Sequence, residues 1–136
     1  MDKASIIIAD ENILLRKFLR RNMQWDQNLW VINEADDGLE LLEQLKESTP
    51  DLIILQKSLP TLSGLDAAKI IKEQFPLVKI VILTRELNHK CYCRASEIGV
   101  DGYVLTNEIG NITNIINIVI AGKTYISPYF HRQAEV

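Results

Sequence analysis

Four short polar breaks in this chain carry side chains able to bind or react: Asp10-Glu11, Gln56-Lys57-Ser58, Thr84-Arg85 and Thr106. Each break follows an apolar run: SIIIA before Asp10, LIIL before Gln56, VKIVIL before Thr84 and GYVL before Thr106. Two adjacent carboxylates near a hydroxyl form a candidate divalent-cation and phosphate site, because hard cations take oxygen ligands. The same residues also fit a solvated polar rim with no ligand. Gln56 stands at the most informative of these positions and carries a neutral amide, which is a poor nucleophile.

The apolar runs do not alternate with polar residues, a pattern that suits strands covered on both faces, as in a parallel sheet. Between them lie helical patterns. Leu14, Leu15, Phe18, Leu19 and Met23 give the first helix an inward face, leaving Arg16, Lys17, Arg20 and Arg21 largely outside. A second strand covers residues 30–34, and Asp37 is a candidate cap for a helix with Leu41, Leu42 and Leu45 inward. Pro60 and the segment Thr61-Leu62-Ser63-Gly64 form a turn after the third strand, with Ser63 as cap and Asp66 as its capping-box partner. A weaker helix spans residues 87–98, stopped by Gly99. The last helix runs over residues 108–121 on a stripe of Ile112, Ile115, Ile116, Val119 and Ile120, with Ile109 and Ile118 left on other faces as a candidate contact surface. Strand and helix alternate five times, which predicts an α/β doubly wound parallel sheet with helices on both faces. Residues 1–122 make one domain, and 123–136 a tail or the start of a linker.

At 136 residues the chain holds one core. Its net charge of -3 gives no basic field for nucleic acid or an anionic membrane. No apolar run approaches the roughly 20 residues of a spanning helix, and the first ten residues lack the apolar region of a signal peptide. A cytoplasmic location is therefore expected. Cys91 and Cys93 are two apart on a helix, too divergent to bond each other, and read as ordinary helix thiols.

The motifs IIIADEN, EADDGLELLEQL, PDLIILQKSLPTLSGLDAAKIIK, IVILTR and GVDGYVL with AGKTYISP resemble, in order and spacing, the receiver domain of two-component response regulators. The last pair is most similar to receivers that precede a helix-turn-helix output domain of the LuxR type. The resemblance covers essentially the whole chain. It implies a five-stranded flavodoxin-like sheet in order 2-1-3-4-5. It also implies an aspartate after the third strand that accepts a phosphoryl group from a histidine kinase, and an acid pair that helps hold Mg²⁺. A Thr or Ser and a Lys would contact the phosphoryl group, and an aromatic residue on the fifth strand would switch between states. Matched to those roles, the acid pair is Asp10 and Glu11, the hydroxyl Thr84 and the switch aromatic Tyr103, while Ser58 lies at the pocket rim. Gln56 stands at the acceptor position, Thr106 at the lysine position, and Arg85 where a small residue is usual.

These departures set the functional expectation. Without the acceptor carboxylate and the cation opposite it, the pocket should be vestigial, with no cofactor and Mg²⁺ bound at most weakly. The expected function is a phosphorylation-independent pseudo-receiver in two-component signalling, not an enzyme. It would act through a protein partner or a homodimer across the face of helix 4, strand 5 and helix 5. Arg85 is a candidate lock on Asp10 or Glu11, with Lys57 as competitor. Tyr103 reads as an edge-strand aromatic packed on the last helix. One alternative is the N-terminal receiver of a DNA-binding regulator, the domain itself reading no DNA. The other is a flavodoxin-like cofactor-binding enzyme, disfavoured because Asp10-Glu11-Asn12 is acidic and lacks the glycines that cradle phosphate.

Overall fold

A computed structural model describes residues 3–130. The elements run β1 (Ala4–Ala9), α1 (Ile13–Met23), β2 (Leu29–Ala35), α2 (Gly38–Glu47), β3 (Leu52–Gln56), α3 (Gly64–Gln74), β4 (Lys79–Thr84), α4 (His89–Ile98), β5 (Gly102–Leu105), α5 (Ile112–Ile120) and β6 (Tyr125–Ile126). All strand pairs are parallel, in order β2-β1-β3-β4-β5-β6. The expected order holds for the first five strands.

The central strands are buried on both faces because the residues of each alternate between two cores. Ile6, Ile8, Leu52, Ile54, Val81, Leu83 and Val104 meet α1 and α5 through Leu19, Met23, Ile112, Ile115 and Ile116. Ile7, Ile53, Leu55, Ile80, Ile82 and Tyr103 meet α2, α3 and α4 through Leu41, Leu45, Leu65, Ile71 and Ala95. Each fully buried Leu or Ile contributes roughly 1.5–3 kcal/mol, so these two layers hold the strand ends in register.

Local signals account for the helix starts. Asn12 accepts the N–H groups of Leu14 and Leu15, Asp37 that of Glu40, Ser63 that of Asp66 and Asn88 that of Cys91. At α3 the capping box is only half made, since the Asp66 carboxylate turns to Arg94 on α4.

Several expectations are corrected. The sheet has a sixth strand: the tail is part of the fold, and β6 lies beside β5, with Ser127 N–H donating to the Tyr103 carbonyl at 2.9 Å. Residues 131–136 of the expected tail lie outside the described residues. The inner face of α1 is also different. Leu14 is 75% exposed and Phe18 is exposed as well, whereas Arg16 is only 9% exposed. The cause is Arg16's set of acceptors at the carboxyl ends of β1 and β2, described below. The last helix begins as a 3-10 segment, Thr106–Asn111, before α5. Ile109 in that segment is half-buried against the core rather than left over, while Ile120, expected inward, is exposed. Tyr103 is not on an edge strand: it packs on Tyr92 of α4 and on Phe130, not on α5.

Candidate functional site

The carboxyl ends of β1, β3 and β4 line a cleft of about 230 Å³ formed by Asp10, Glu11, Gln56, Lys57, Ser58, Thr84, Arg85 and Glu86. Seven of these residues were singled out from sequence; Glu86 was missed, although it directly follows Arg85. Thr106 does not line the cleft and instead starts the 3-10 segment after β5.

Asp10 is buried and both carboxylate oxygens are engaged. Oδ1 accepts the Asn12 N–H at 2.8 Å, and Oδ2 accepts Nε2 of Gln56 at 3.2 Å. Gln56 Oε1 accepts the Lys57 N–H at 3.0 Å. The amide therefore faces the two neighbours in the one sense that satisfies both, nitrogen to carboxylate and oxygen to N–H. Its main chain is fixed by Gly64, whose N–H donates to the Lys57 carbonyl at 2.7 Å. A Cβ at residue 64 would lie 2.0 Å from the Gln56 carbonyl oxygen, so only glycine allows this approach. The loop between them is closed at Thr61, which takes a left-handed φ of 65° while its hydroxyl donates to the α2 cap Asp37 at 3.0 Å.

Arg16 supports the same corner from below. Its guanidinium donates to the Asp10 carbonyl and pairs with Glu34 at 3.0 Å and Asp36 at 2.8 Å. Burial raises the Glu34 pKa, but hydrogen bonds and charge from Arg20 and Arg16 outweigh it and hold the carboxyl below its ordinary value.

The cationic side chains do not pair with the acid pair Asp10 and Glu11. Lys57 Nζ lies 3.6 Å from Glu86 and 3.8 Å from the Cys91 sulfur. Arg85 is exposed, and no ion pair joins it to Asp10 or Glu11 among the described residues, so the lock expected of it is not formed. Thr84 is fully buried, and its hydroxyl accepts the Glu86 N–H at 3.2 Å.

Comparison with known families supplies the identity of this architecture. Residues 6–117 match the response regulator receiver domain. The chain belongs to this family. The receiver is 27% identical to the response regulator GacA of Pseudomonas viridiflava over 129 residues, which cover 94% of this chain and 60% of GacA. It is 31% identical to the oxygen regulatory protein NreC of Staphylococcus carnosus over 125 residues, 90% of this chain and 58% of NreC. The chain thus spans about three fifths of these relatives. Among solved structures it is similar to a LuxR-family response regulator from Aurantimonas sp. SI85-9A1, with a TM-score of 0.91 at 26% identity, covering 98% of this chain and 97% of that one.

A receiver of this family is expected to hold Mg²⁺ in the cleft, and the donor set here does not fit it. Asp10 has both oxygens hydrogen-bonded, Glu11 is on the surface, and the third position turns an N–H₂ toward Asp10 where a cation needs an oxygen. Among the described residues no three His, Cys, Asp or Glu side chains are grouped to hold a metal. Tyr103 is 1% exposed and turned inward. Its ring lies 4.9 Å from Phe130 and 5.5 Å from Tyr92, both edge to face. No helix of the described residues is long and apolar enough to cross a membrane.

Proposed function

We propose that this receiver takes no phosphoryl group and no Mg²⁺, is not an enzyme, and signals in the cytoplasm by binding protein. The observation that carries this reading is the Gln56 amide bridging Asp10 and the Lys57 N–H. It puts a neutral, hydrogen-bonded group at the acceptor position and uses up the carboxylate that would bind the cation. An amide cannot form the acyl phosphate that a carboxylate forms. Titration with beryllofluoride and Mg²⁺, followed by backbone amide NMR, tests the reading. No saturable shift is expected at Gln56 or Thr84, and such a shift overturns it. Run in parallel, Gln56→Asp is expected to restore binding, because Asp10, Glu11 and Thr84 remain in place.

The partner surface is the α4, β5 and α5 side, where Ile118 is 37% exposed. Here β6 covers the β5 edge, so the contact falls to the helices. Sedimentation at high concentration is expected to show self-association that Ile118→Asp abolishes; a monomer in both proteins removes the homodimer.

One observation favours a second, compatible reading as the N-terminal receiver of a DNA-binding regulator. The relatives are named as regulators, and the match occupies 60% and 58% of their lengths. DNA contact would then belong to an output domain, since this domain carries a net charge of -3. An open reading frame lacking a helix-turn-helix after Val136 overturns it.

A further inference from the structure

Beside the acid pair, a second group of reactive side chains converges between β3, β5 and the first turn of α4. Cys91 is half-buried there. The Lys57 ammonium reaches its sulfur at 3.8 Å, with a side chain only 10% exposed. From the sheet comes Tyr103, whose Oη is buried and has no hydrogen-bond partner. Burial, then the nearby Cys91 sulfur, push the phenol pKa up against the downward pull of the Thr84 hydroxyl, which is close by but does not meet hydrogen-bond geometry. A buried O–H without an acceptor costs about 1–3 kcal/mol. The ammonium's carboxylate partner, Glu86, is 3.6 Å away and 66% exposed, which makes it a weak one. The thiol therefore has a cation at 3.8 Å and an unpartnered phenol near enough to feel its charge, and an oxygen atom added to the sulfur would offer both an acceptor.

We propose that Cys91 is a peroxide-reactive modification site whose sulfenate is held by the Lys57 ammonium and the Tyr103 hydroxyl. The oxidant is hydrogen peroxide. The thiolate, which is the nucleophilic form, attacks one peroxide oxygen; an S–O bond forms as the O–O bond breaks. Sulfur is oxidised by two electrons, and the departing hydroxide leaves as water after taking from solvent the proton released there when the thiolate formed. The sulfenic proton then passes to solvent, leaving an oxyanion opposite Lys57. Cys93 is exposed two positions along the helix, on a different face, where it cannot close a disulfide with Cys91. The product is thus a sulfenate, one step up the oxidation ladder. The sulfur chemistry stands independently of the proposed function. Its use as a signal rests on that reading, since it supplies beside Lys57, a residue of the cleft, the negative oxygen that Gln56 cannot carry.

The test treats the whole chain with limiting hydrogen peroxide, traps sulfenate with dimedone and maps the label by peptide mass. Cys91 is expected to label severalfold faster than Cys93, despite its lower exposure. Lys57→Met is expected to slow Cys91 severalfold and leave Cys93 unchanged, Lys57→Arg to keep the rate, and Tyr103→Phe to shorten the lifetime of the sulfenate toward sulfinate. Equal labelling of the two cysteines, or a Cys91 rate indifferent to Lys57→Met in a protein with native near-UV circular dichroism, overturns the site. In Cys93→Ser protein, oxidation should move the Thr84 and Tyr103 amide resonances; oxidation that leaves them in place overturns the coupling to the cleft. Beryllofluoride binding, which sinks the proposed function, does not touch the rate comparison.

Discussion

Arg16 lies within the fold with its guanidinium shared among the Glu34 and Asp36 carboxylates and the Asp10 carbonyl. Removing it takes the side-chain donor from the Asp10 carbonyl and from Glu34 Oε1, while Arg20 stays on Glu34 Oε2 at 2.7 Å. Arg16→Met is expected to cost about 1–3 kcal/mol, read as a lower urea midpoint with an unchanged slope. A neutral effect would show that water replaces the guanidinium. The pH dependence follows from Glu34, whose folded pKa lies below its ordinary value of 4.5. Such a group contributes stability that is present above the ordinary value and is lost as pH falls through the depressed one. Urea midpoints of the native protein are expected to fall through that acid window, and less steeply for Glu34→Gln. The acid pair, Gln56 and Thr84 were legible because an apolar run ends at each of them. Arg16 was not. Leu15 and Leu19 form one helical stripe, Leu14 and Phe18 form another beside it, and hydropathy ranks them equally. The choice is made by carboxylates at the end of β2, a tertiary contact that no spacing within α1 encodes.

The turn from β3 to α3 shows how one element places a side chain. Gly64 begins the helix directly against the Gln56 carbonyl, and the loop before it is tied to α2 by the Gly38 N–H, which donates to the Pro60 carbonyl at 3.1 Å. A methyl group at residue 64 must push back the backbone that carries Gln56. Gly64→Ala is expected to destabilise by about 1–3 kcal/mol, the range for forcing extra volume into a packed site, and to shift the Gln56 and Lys57 amide resonances. Unchanged resonances would mean that the helix start, not the strand end, gives way. The strands and most helix starts were readable because continuous apolar runs and Ser, Asn and Asp caps are local signals. Of the 3-10 segment Thr106–Asn111, residues 108–111 were read as the first turn of the last helix, since hydropathy does not separate 3-10 from α winding.

At the scale of the whole molecule, the unit that folds extends past the boundary drawn from sequence. Gly122 marks the end of the last helix, with a left-handed φ of 97°, and composition alone suggests a linker after it. The next residues instead close the sheet. Tyr125 N–H donates to the Asp101 carbonyl at 2.9 Å, and Phe130 is wholly buried, stacked 5.3 Å from Tyr92. A two-residue strand has no periodicity to read; its place is set by the β5 edge and by an aromatic pocket built from α4 and β5. Loss of a buried phenylalanine costs about 3–5 kcal/mol, and a chain cut after Gly122 also exposes Tyr103 and frees the carbonyls of Asp101 and Tyr103. Residues 1–122 alone are therefore expected to be less stable than the full chain by at least about 3 kcal/mol, with fast hydrogen exchange at Gly102 and Tyr103. Phe130→Ala in the full chain should reproduce most of that loss while keeping the β6 hydrogen bonds protected. If the shortened chain matches the full one in its urea midpoint, β6 and Phe130 are an ornament on a five-stranded domain, and the boundary belongs at Gly122 after all. If the loss is found, Tyr103 is held inward by this chain's own C-terminal segment, and a partner that binds the α4 and β5 side must displace that segment or build on it.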